Sequence, residues 1–190
     1  MNNKNQNEFQ MNKQRTTVDF GIDLGTTNSA ISKMENGTPE SIRTNTLKDT
    51  MPSCVYINRK SAIQVGDAAF NALKDEKLNA MKNWDSGNDN SFIEFKRTMG
   101  SDASYESANA KRSFSSIELS AEVLKTLKSF EKDENINTVV ITVPAAFKNN
   151  QIDHTRQAGK LAGFQQIEII TEPEAAAWVY GLNTDNKDGY

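Results

Sequence analysis

The sequence predicts an α/β protein whose mixed sheet begins as an antiparallel meander and continues as a β-α-β-α unit. Two observations lead to this prediction. In the first half, short runs of apolar and polar residues alternate between turn residues, which is typical of antiparallel strands. In the second half, the β-branched and almost wholly apolar run Thr138–Val143 predicts a buried strand, and residues with helical spacing follow it.

The first half is expected to contain five strands and one helix. Apolar residues at every second position lead the first strand to Asp23, where it ends. The other strands are expected over residues 29–34, 38–42, 54–57 and 62–65. Residues 35–37, Glu-Asn-Gly, predict a tight hairpin turn. A helix over residues 68–74 follows, with Asp67 as its expected N-cap.

The second half is expected to alternate helices with strands. The expected elements are a helix over residues 116–131, a strand over 138–143, a helix over 149–162, a strand over 166–171 and a helix over 174–180. Ser115 and Glu118 have the spacing of a capping box. Gly163 is placed to close the second of these helices, Pro173 to lie in the first turn of the last one, and Gly181 to end it.

Composition excludes several kinds of protein. Of 190 residues, 36% are hydrophobic and 25% are charged; acidic and basic residues are mixed, and the net charge is −3. No basic face stands out, so no nucleic-acid partner is expected. No apolar stretch approaches the ~18 residues of a membrane span, so no membrane is expected either. Residues 1–17 are rich in Asn, Gln and Lys, and we expect a disordered tail there, not a signal peptide.

The single cysteine, Cys54, lies in the apolar run Cys-Val-Tyr-Ile. A lone cysteine excludes an intrachain disulfide, and its neighbours predict a small core residue. A reducing compartment suits such a chain, so a cytoplasmic location is expected.

Residues 21–29, Gly-Ile-Asp-Leu-Gly-Thr-Thr-Asn-Ser, form the most informative run. The strand stops at Asp23 and turns back through Gly25, which would expose successive backbone N–H groups as a cradle for phosphate. Asp23 would then be able to hold hydrated Mg²⁺ against that phosphate. The alternative is an ordinary hairpin with polar turn residues. The run fits neither the P-loop nor the dinucleotide-binding pattern.

Three further segments match one family in order and spacing. They are residues 96–100 (Lys-Arg-Thr-Met-Gly), 139–147 (Val-Val-Ile-Thr-Val-Pro-Ala-Ala-Phe) and 169–177 (Ile-Ile-Thr-Glu-Pro-Glu-Ala-Ala-Ala). With residues 21–29, they make residues 18–190 resemble the ATPase domain of the 70-kilodalton heat-shock chaperones. That family belongs to the actin/hexokinase-like superfamily, so the resemblance implies an actin-like, ribonuclease-H-like ATPase lobe.

The resemblance implies a role for each residue of the first loop. Asp23 would approach Mg²⁺ through water, and Gly25 would let the backbone come close to the phosphates. Thr26, Thr27 and Asn28 would donate backbone and side-chain groups to the β- and γ-phosphates of ATP.

The resemblance also implies roles for Lys96, Glu172 and Pro144. Lys96 corresponds to a catalytic lysine that positions the attacking water and balances charge on the γ-phosphate. Glu172 corresponds to a glutamate near the metal and that water, and Pro144 to a proline that couples nucleotide state to a substrate-binding domain. Taken singly, the residues also fit plainer roles: a solvated lysine, an acid favoured at a helix start, and a strand terminator.

Several positions depart from the family pattern. Ile152 stands where the family has an arginine that works with Pro144, so the relay between domains is expected to run differently here. Thr171 stands for an asparagine, and Glu168 lies in a region linked to J-domain docking where many members are basic. We therefore expect a divergent member with altered co-chaperone use. His154 carries no site signal and is expected at the surface.

The resemblance covers one lobe of a two-lobed domain. The second phosphate loop, Asp-x-Gly-Gly-Gly-Thr after a strand, does not occur in these 190 residues. Residues 18–190 are therefore expected to be the first lobe, with residues 50–113 as an inserted subdomain. The second lobe and the peptide-binding domain are expected to be absent, and the turn residues at 185–190 favour a truncated chain.

The predicted function is the ATP-binding half of a chaperone ATPase, with ATP or ADP and Mg²⁺ as ligands. In the full-length form, hydrolysis would drive binding and release of unfolded polypeptides, with a J-domain co-chaperone and a nucleotide exchange factor as partners. The half alone is expected to be inactive and to be able to dimerise through its exposed cleft face. The alternatives are a small-molecule kinase of the same superfamily and a stand-alone, non-catalytic binding module.

Overall fold

A computed structural model describes residues 18–83 and 90–183. The predicted tail over residues 1–17 and the turn residues 185–190 lie outside this range. The strands are β1 (Phe20–Asp23), β2 (Asn28–Glu35), β3 (Thr38–Ser41), β4 (Met51–Pro52), β5 (Val55–Ile57), β6 (Ile63–Val65), β7 (Ser91–Phe92), β8 (Ser104–Ser107), β9 (Arg112–Ser115), β10 (Thr138–Val143) and β11 (Gln166–Thr171). The helices are α1 (Asp67–Asn83), α2 (Ser116–Lys128), α3 (Asn149–Leu161) and α4 (Glu172–Asn183), with a 3₁₀ turn over Phe95–Thr98.

The central sheet is mixed, as predicted. Its strands lie in the order β11-β10-β1-β2-β3, and β4 pairs with β2. β1, β10 and β11 run parallel, whereas β2 is antiparallel to β1 and to β3. The register places Asp23 beside Thr142, and Val143 beside Thr171. The carboxyl ends of three adjacent strands therefore meet at one edge, where α/β sheets commonly bind ligands.

The first half of the chain does not form the single antiparallel meander that the sequence predicts. β5 and β6 are antiparallel as predicted, but with β7 they form a separate small sheet in the order β6-β5-β7. β8 and β9 form a hairpin that the sequence did not indicate. Their residues are mainly Ser, Glu and Arg, so the apolar alternation that marks a strand is weak. Contacts of Phe92 with Tyr105 and Phe114, at 5.9 and 6.2 Å between ring centroids, join the hairpin to β7.

Three helices, α1, α2 and α4, differ from their predicted bounds by two or more residues; α2 ends three residues before the expected residue 131. α1 continues nine residues beyond the expected end at residue 74, because few of its residues mark a buried face. Asp67 is the first residue of this helix, and its carboxylate accepts hydrogen bonds from the side chains of Thr46 and Lys48, both at 2.8 Å. α4 starts at Glu172 and continues past Gly181, so that glycine does not end it.

Other local predictions are confirmed. Ser115 and Glu118 form the capping box at the start of α2. Gly163 follows α3 with a φ of +85°, the left-handed conformation that a helix-closing glycine adopts. Asn36 and Gly37 have φ of 51° and 80° in the hairpin between β2 and β3. The division into a lobe with an inserted subdomain over residues 50–113 stays a prediction.

The core lies between the central sheet and the pair of helices α2 and α3. Ile22, Ile31 and Ile141 of the sheet and Leu124 of α2 are almost fully buried. Each such side chain contributes roughly 1.5–3 kcal/mol through burial, which holds β1 and β10 rigidly in place. Cys54 is buried, as predicted. Within the described range, no helix combines the length and apolarity needed to cross a bilayer.

Candidate active site

The candidate site is built on the edge where β1, β10 and β11 end. Asp23 is the last residue of β1, and its exposed carboxylate accepts a hydrogen bond of 3.0 Å from the hydroxyl of Thr142 on β10. Glu172 follows β11 directly and starts α4. The parallel pairing of the three strands thus brings two predicted site residues, 149 positions apart, to adjacent strand ends.

Thr142 lies in one of the family motifs, but the sequence indicates no role for it. Its hydroxyl orients the Asp23 carboxylate, because the two residues lie beside each other in the β1–β10 register. A polar residue near the end of an otherwise apolar strand was the available signal. Its partner lies 119 residues earlier, so sequence alone could not name it.

The loop between β1 and β2 has the tight turn that a phosphate cradle requires. A Cβ added to Gly25 would lie only 1.9 Å from the carbonyl oxygen of Asn28, so this backbone path excludes any side chain. Leu24 anchors the loop in the core, whereas Thr27 and Asn28 are exposed. This arrangement fits a phosphate group, since it turns polar atoms outward over a fixed backbone.

Lys96 reaches the same edge from the 3₁₀ turn Phe95–Thr98. The residue is only 4% exposed. Its Nζ lies 3.9 Å from Oε1 of Glu172 and 5.4 Å from the ring centroid of Phe147. The plain alternative of a solvated lysine is therefore wrong. The structure places Lys96 in a pocket between a carboxylate and an aromatic ring.

The electrostatics of Lys96 are unusual for a lysine. Burial lowers the pKa of Lys96 below its usual range, and the carboxylates of Glu172 and Asp23 oppose part of this shift. A desolvated ammonium interacts more strongly with a negatively charged ligand than an exposed one does. Perturbed groups of this kind are concentrated at functional sites.

The start of α4 leaves Glu172 available for Lys96. Thr171 donates from its backbone N–H and its hydroxyl to Oε2 of Glu174, at 2.7 and 2.8 Å. The Glu174 N–H donates back to the Thr171 hydroxyl at 3.3 Å, which completes a capping box. Glu174 therefore serves the helix end, while the Glu172 side chain stays 51% exposed beside the lysine.

His154 ties the segment that carries Lys96 to α3. The backbone N–H of Gly100 donates to Nδ1 of His154 at 3.0 Å, and Nδ2 of Asn150 donates to the Gly100 carbonyl at 2.7 Å. His154 is half-buried, so the prediction of a surface residue was wrong. Helical spacing alone could not reveal its partner, which lies 54 residues earlier.

Pro144 follows β10 directly and is half-buried. Its carbonyl accepts a hydrogen bond of 3.0 Å from the N–H of Phe147, so the turn it begins carries the ring that contacts Lys96. Ile152 lies on α3, half-buried. The coupling role of Pro144 stays a prediction.

In the part of the chain that the structure describes, this edge offers no ready-made set of ligands for a directly coordinated metal. Among residues 18–83 and 90–183, no group of three His, Cys, Asp or Glu side chains could hold an ion. Asp23 provides one exposed carboxylate beside the loop. One carboxylate suits Mg²⁺, which keeps several of its water ligands and completes its shell with phosphate oxygens.

Comparison with known proteins places this geometry in context. The family model described as "Hsp70 protein" matches residues 19–190. The chain is 36% identical over 172 residues to the chaperone protein DnaK of Metamycoplasma hominis. It is 38% identical over 172 residues to the chaperone protein DnaK of Mesomycoplasma hyopneumoniae, in strains J and 232. Each match covers 89% of this chain but 26% of the relative, so the chain spans about a quarter of those proteins.

Proposed function

We propose, from the premise that this chain belongs to the Hsp70 family, that it supplies one half of an ATP-binding and ATP-hydrolysing site. The family implies nucleotide binding. The observation that carries the proposal is the convergence of Asp23, Lys96 and Glu172 beside the loop at Gly25. An ordinary hairpin would give no reason to bury a lysine beside Glu172, where it also feels the charge of Asp23, at the end of a parallel sheet.

Each residue has a task that its geometry suits. The backbone N–H groups of residues 26–28 bind phosphate oxygens, and the Lys96 ammonium stabilises negative charge on the terminal phosphate. Glu172, partly exposed beside Lys96, accepts a hydrogen bond from the attacking water and orients it. Asp23, oriented by Thr142, would hold Mg²⁺ through the water ligands of the ion. The bound ion would neutralise phosphate charge.

The proposal extends to the whole protein from which such a lobe derives. Residues 18–190 are the first lobe, with an inserted subdomain over residues 50–113, and a second lobe supplies the other phosphate loop. ATP hydrolysis then drives binding and release of unfolded polypeptides, with a J-domain co-chaperone and a nucleotide exchange factor as partners. Pro144 couples the two activities, and Ile152 alters that coupling. The lone cysteine, a buried residue, suits a cytoplasmic location.

The test compares this chain with a version extended at its C-terminus through the second lobe. MgATP is titrated into both by calorimetry, and phosphate release is measured. We expect binding and turnover by the extended protein, weak or no binding by the 190-residue chain, and loss of turnover in extended Lys96→Ala. Lys125→Ala is the matched control, because Lys125 is exposed on α2 and pairs with Glu122. Turnover by the short chain that vanishes in Lys96→Ala would contradict the half-site.

A further inference from the structure

Two buried serines close a ring of hydrogen bonds around Gly25. The Gly25 N–H donates to Oγ of Ser29 at 3.1 Å, and Oγ of Ser53 donates to the Gly25 carbonyl at 2.8 Å. The two hydroxyl oxygens are 2.8 Å apart. Ser29 and Ser53 are 1% and 2% exposed, so solvent does not compete for these bonds.

The direction of every bond in the ring follows from the donors available. A serine hydroxyl has a single proton. Because Ser53 gives its proton to the Gly25 carbonyl, Ser29 must donate to Ser53. The sequence of donors is then Gly25 N–H, Ser29 hydroxyl, Ser53 hydroxyl and back to the Gly25 carbonyl. Bonds linked head to tail in this way polarise one another in a buried setting.

The ring belongs to a larger brace beneath the loop. The backbone N–H of Ser53 donates to the Thr27 carbonyl at 2.8 Å, and β4 pairs with β2 through Met51 and Ser29. Ser53, which follows β4, thus makes hydrogen bonds to the loop at both Gly25 and Thr27. Glycine has the most conformational freedom of any residue, so an unbraced turn at Gly25 would sample many orientations of its two peptide groups.

We infer that Ser29 and Ser53 are positioning residues that orient the loop amides toward phosphate before any nucleotide arrives. The inference rests on the proposed function of this loop. A rigid set of donors binds an anion better than a mobile one, because no ordering is needed when the ligand arrives. Ser53 lies outside the loop motif, and its role becomes visible only through the bonds that it makes to Gly25 and Thr27.

The first readout is hydrogen exchange of the Gly25 amide in the nucleotide-free 190-residue chain. We expect Ser53→Ala to accelerate this exchange about tenfold. The Gly25 amide keeps Ser29 as its acceptor, but the Gly25 carbonyl and the Ser29 hydroxyl both lose their partner, so opening of the turn becomes easier by roughly one buried hydrogen bond. Ser120→Ala is the matched control, since Ser120 is a fully buried serine whose Oγ has no hydrogen-bond partner in the described structure. Should Ser53→Ala not fold, Ser29→Ala breaks the same ring from β2 and carries the test.

The second readout is the affinity of the extended protein for MgATP, with Ser53→Thr as the conservative variant. We expect Ser53→Ala to bind about tenfold more weakly than Ser120→Ala, and Ser53→Thr, which keeps the hydroxyl, to recover most of that loss. Equal exchange or equal affinity in Ser53→Ala and Ser120→Ala, with a wild type that binds, overturns this inference alone. No MgATP binding by the wild-type proteins of either length overturns the proposed function as well.

Discussion

Gly25 and Gly21 lie on the same strand-and-turn segment, yet the space around them differs sharply. A Cβ at Gly25 would overlap the Asn28 carbonyl, whereas one at Gly21 would meet the Ser32 Oγ at 3.4 Å, an ordinary contact. We therefore expect Gly25→Ala to destabilise the chain by about 1–3 kcal/mol, since the main chain itself must move. In the extended protein, MgATP binding should be lost.

Chemical denaturation and MgATP titration check this prediction, with Gly21→Ala as the control. The control is expected to change both quantities much less. Normal MgATP binding by folded Gly25→Ala would show that the turn at Gly25 does not shape a phosphate site.

Lys96 is expected to lower the stability of the folded chain while it serves the proposed ATPase site. Replacing it with Met removes a charge whose burial is unfavourable and fills the same space with apolar atoms, while its partner Glu172 remains half-exposed. We expect Lys96→Met to unfold at a higher denaturant concentration, because its free energy of unfolding is larger by about 1 kcal/mol or more. The extended form of the variant should lose ATP turnover.

The stability difference should also depend on pH, in a direction that the Lys96 pKa determines. Because burial lowers that pKa, the folded chain releases the Lys96 proton at a lower pH than the unfolded chain does. In the unfolded chain the lysine has its ordinary pKa of 10.5. Wild-type stability therefore rises as pH increases from the folded pKa toward 10.5. The advantage of Lys96→Met in denaturation midpoints should shrink over that window; an advantage constant with pH would refute the assignment.

The start of α2 shows how one helix end sets an acid-sensitive contribution to stability. Glu118 accepts from the Ser115 N–H and from Arg112, both at 2.8 Å, and its own N–H donates to the Ser115 hydroxyl. Burial raises the pKa of Glu118, but these hydrogen bonds more than offset it and hold that pKa below its usual range. The folded helix therefore favours the ionised carboxylate.

We expect Ser115→Ala to lower the free energy of unfolding by about 1 kcal/mol, the usual effect of losing an N-cap. Because the pKa of Glu118 is depressed, its contribution is present above the ordinary value and lost as pH falls through the folded pKa. Glu118→Gln should therefore weaken the loss of stability on acidification, measured by denaturation between pH 7 and 3. Glu122→Gln, one turn later, is the control. An equal change in the control variant would show that the capping box is not the cause of the acid sensitivity.

At the scale of the whole molecule, the described residues form one large hydrophobic core and a smaller cluster under α1. Cys54, Ala69 and Leu73 form the smaller cluster, while Val55 and Ile57 beside them belong to the large core. The exposed Leu78 and Met81 lie toward the end of α1. We infer that α1 is held less firmly than the sheet it covers.

Cys54 can report this difference directly. Burial raises the pKa of its thiol to about 12, so the folded protein should not react with iodoacetamide at pH 8 unless α1 opens. We expect labelling, followed by mass spectrometry, to be faster than global unfolding, and Leu73→Ala to accelerate it further. Labelling at the rate of global unfolding would instead show that α1 and the main core open as one unit. The chain has a single cysteine, so the modified site is unambiguous.

Elements with regular periodicity and clear ends could be predicted from the sequence. The strands over residues 138–143 and 166–171 have the predicted bounds, and α2 and α3 begin where expected. Their signals are local: β-branched runs, the capping box at Ser115, and the glycine at position 163 each act within a few residues. The motifs that identified the family are equally local, and the match to residues 19–190 confirms that identification.

What the sequence could not supply depends on residues distant along the chain. The strands β4 and β7 are two residues long and exist because neighbouring strands offer them partners. The hydrogen bond from Thr142 to Asp23 joins residues 119 positions apart, and the bond between Ser29 and Ser53 in the ring at Gly25 joins residues 24 positions apart. The burial of Lys96 likewise depends on segments that pack together only in the folded chain. Periodicity reports which way a residue faces. Which partner it meets is set by strand register and helix packing, and those arise only when the whole chain is folded.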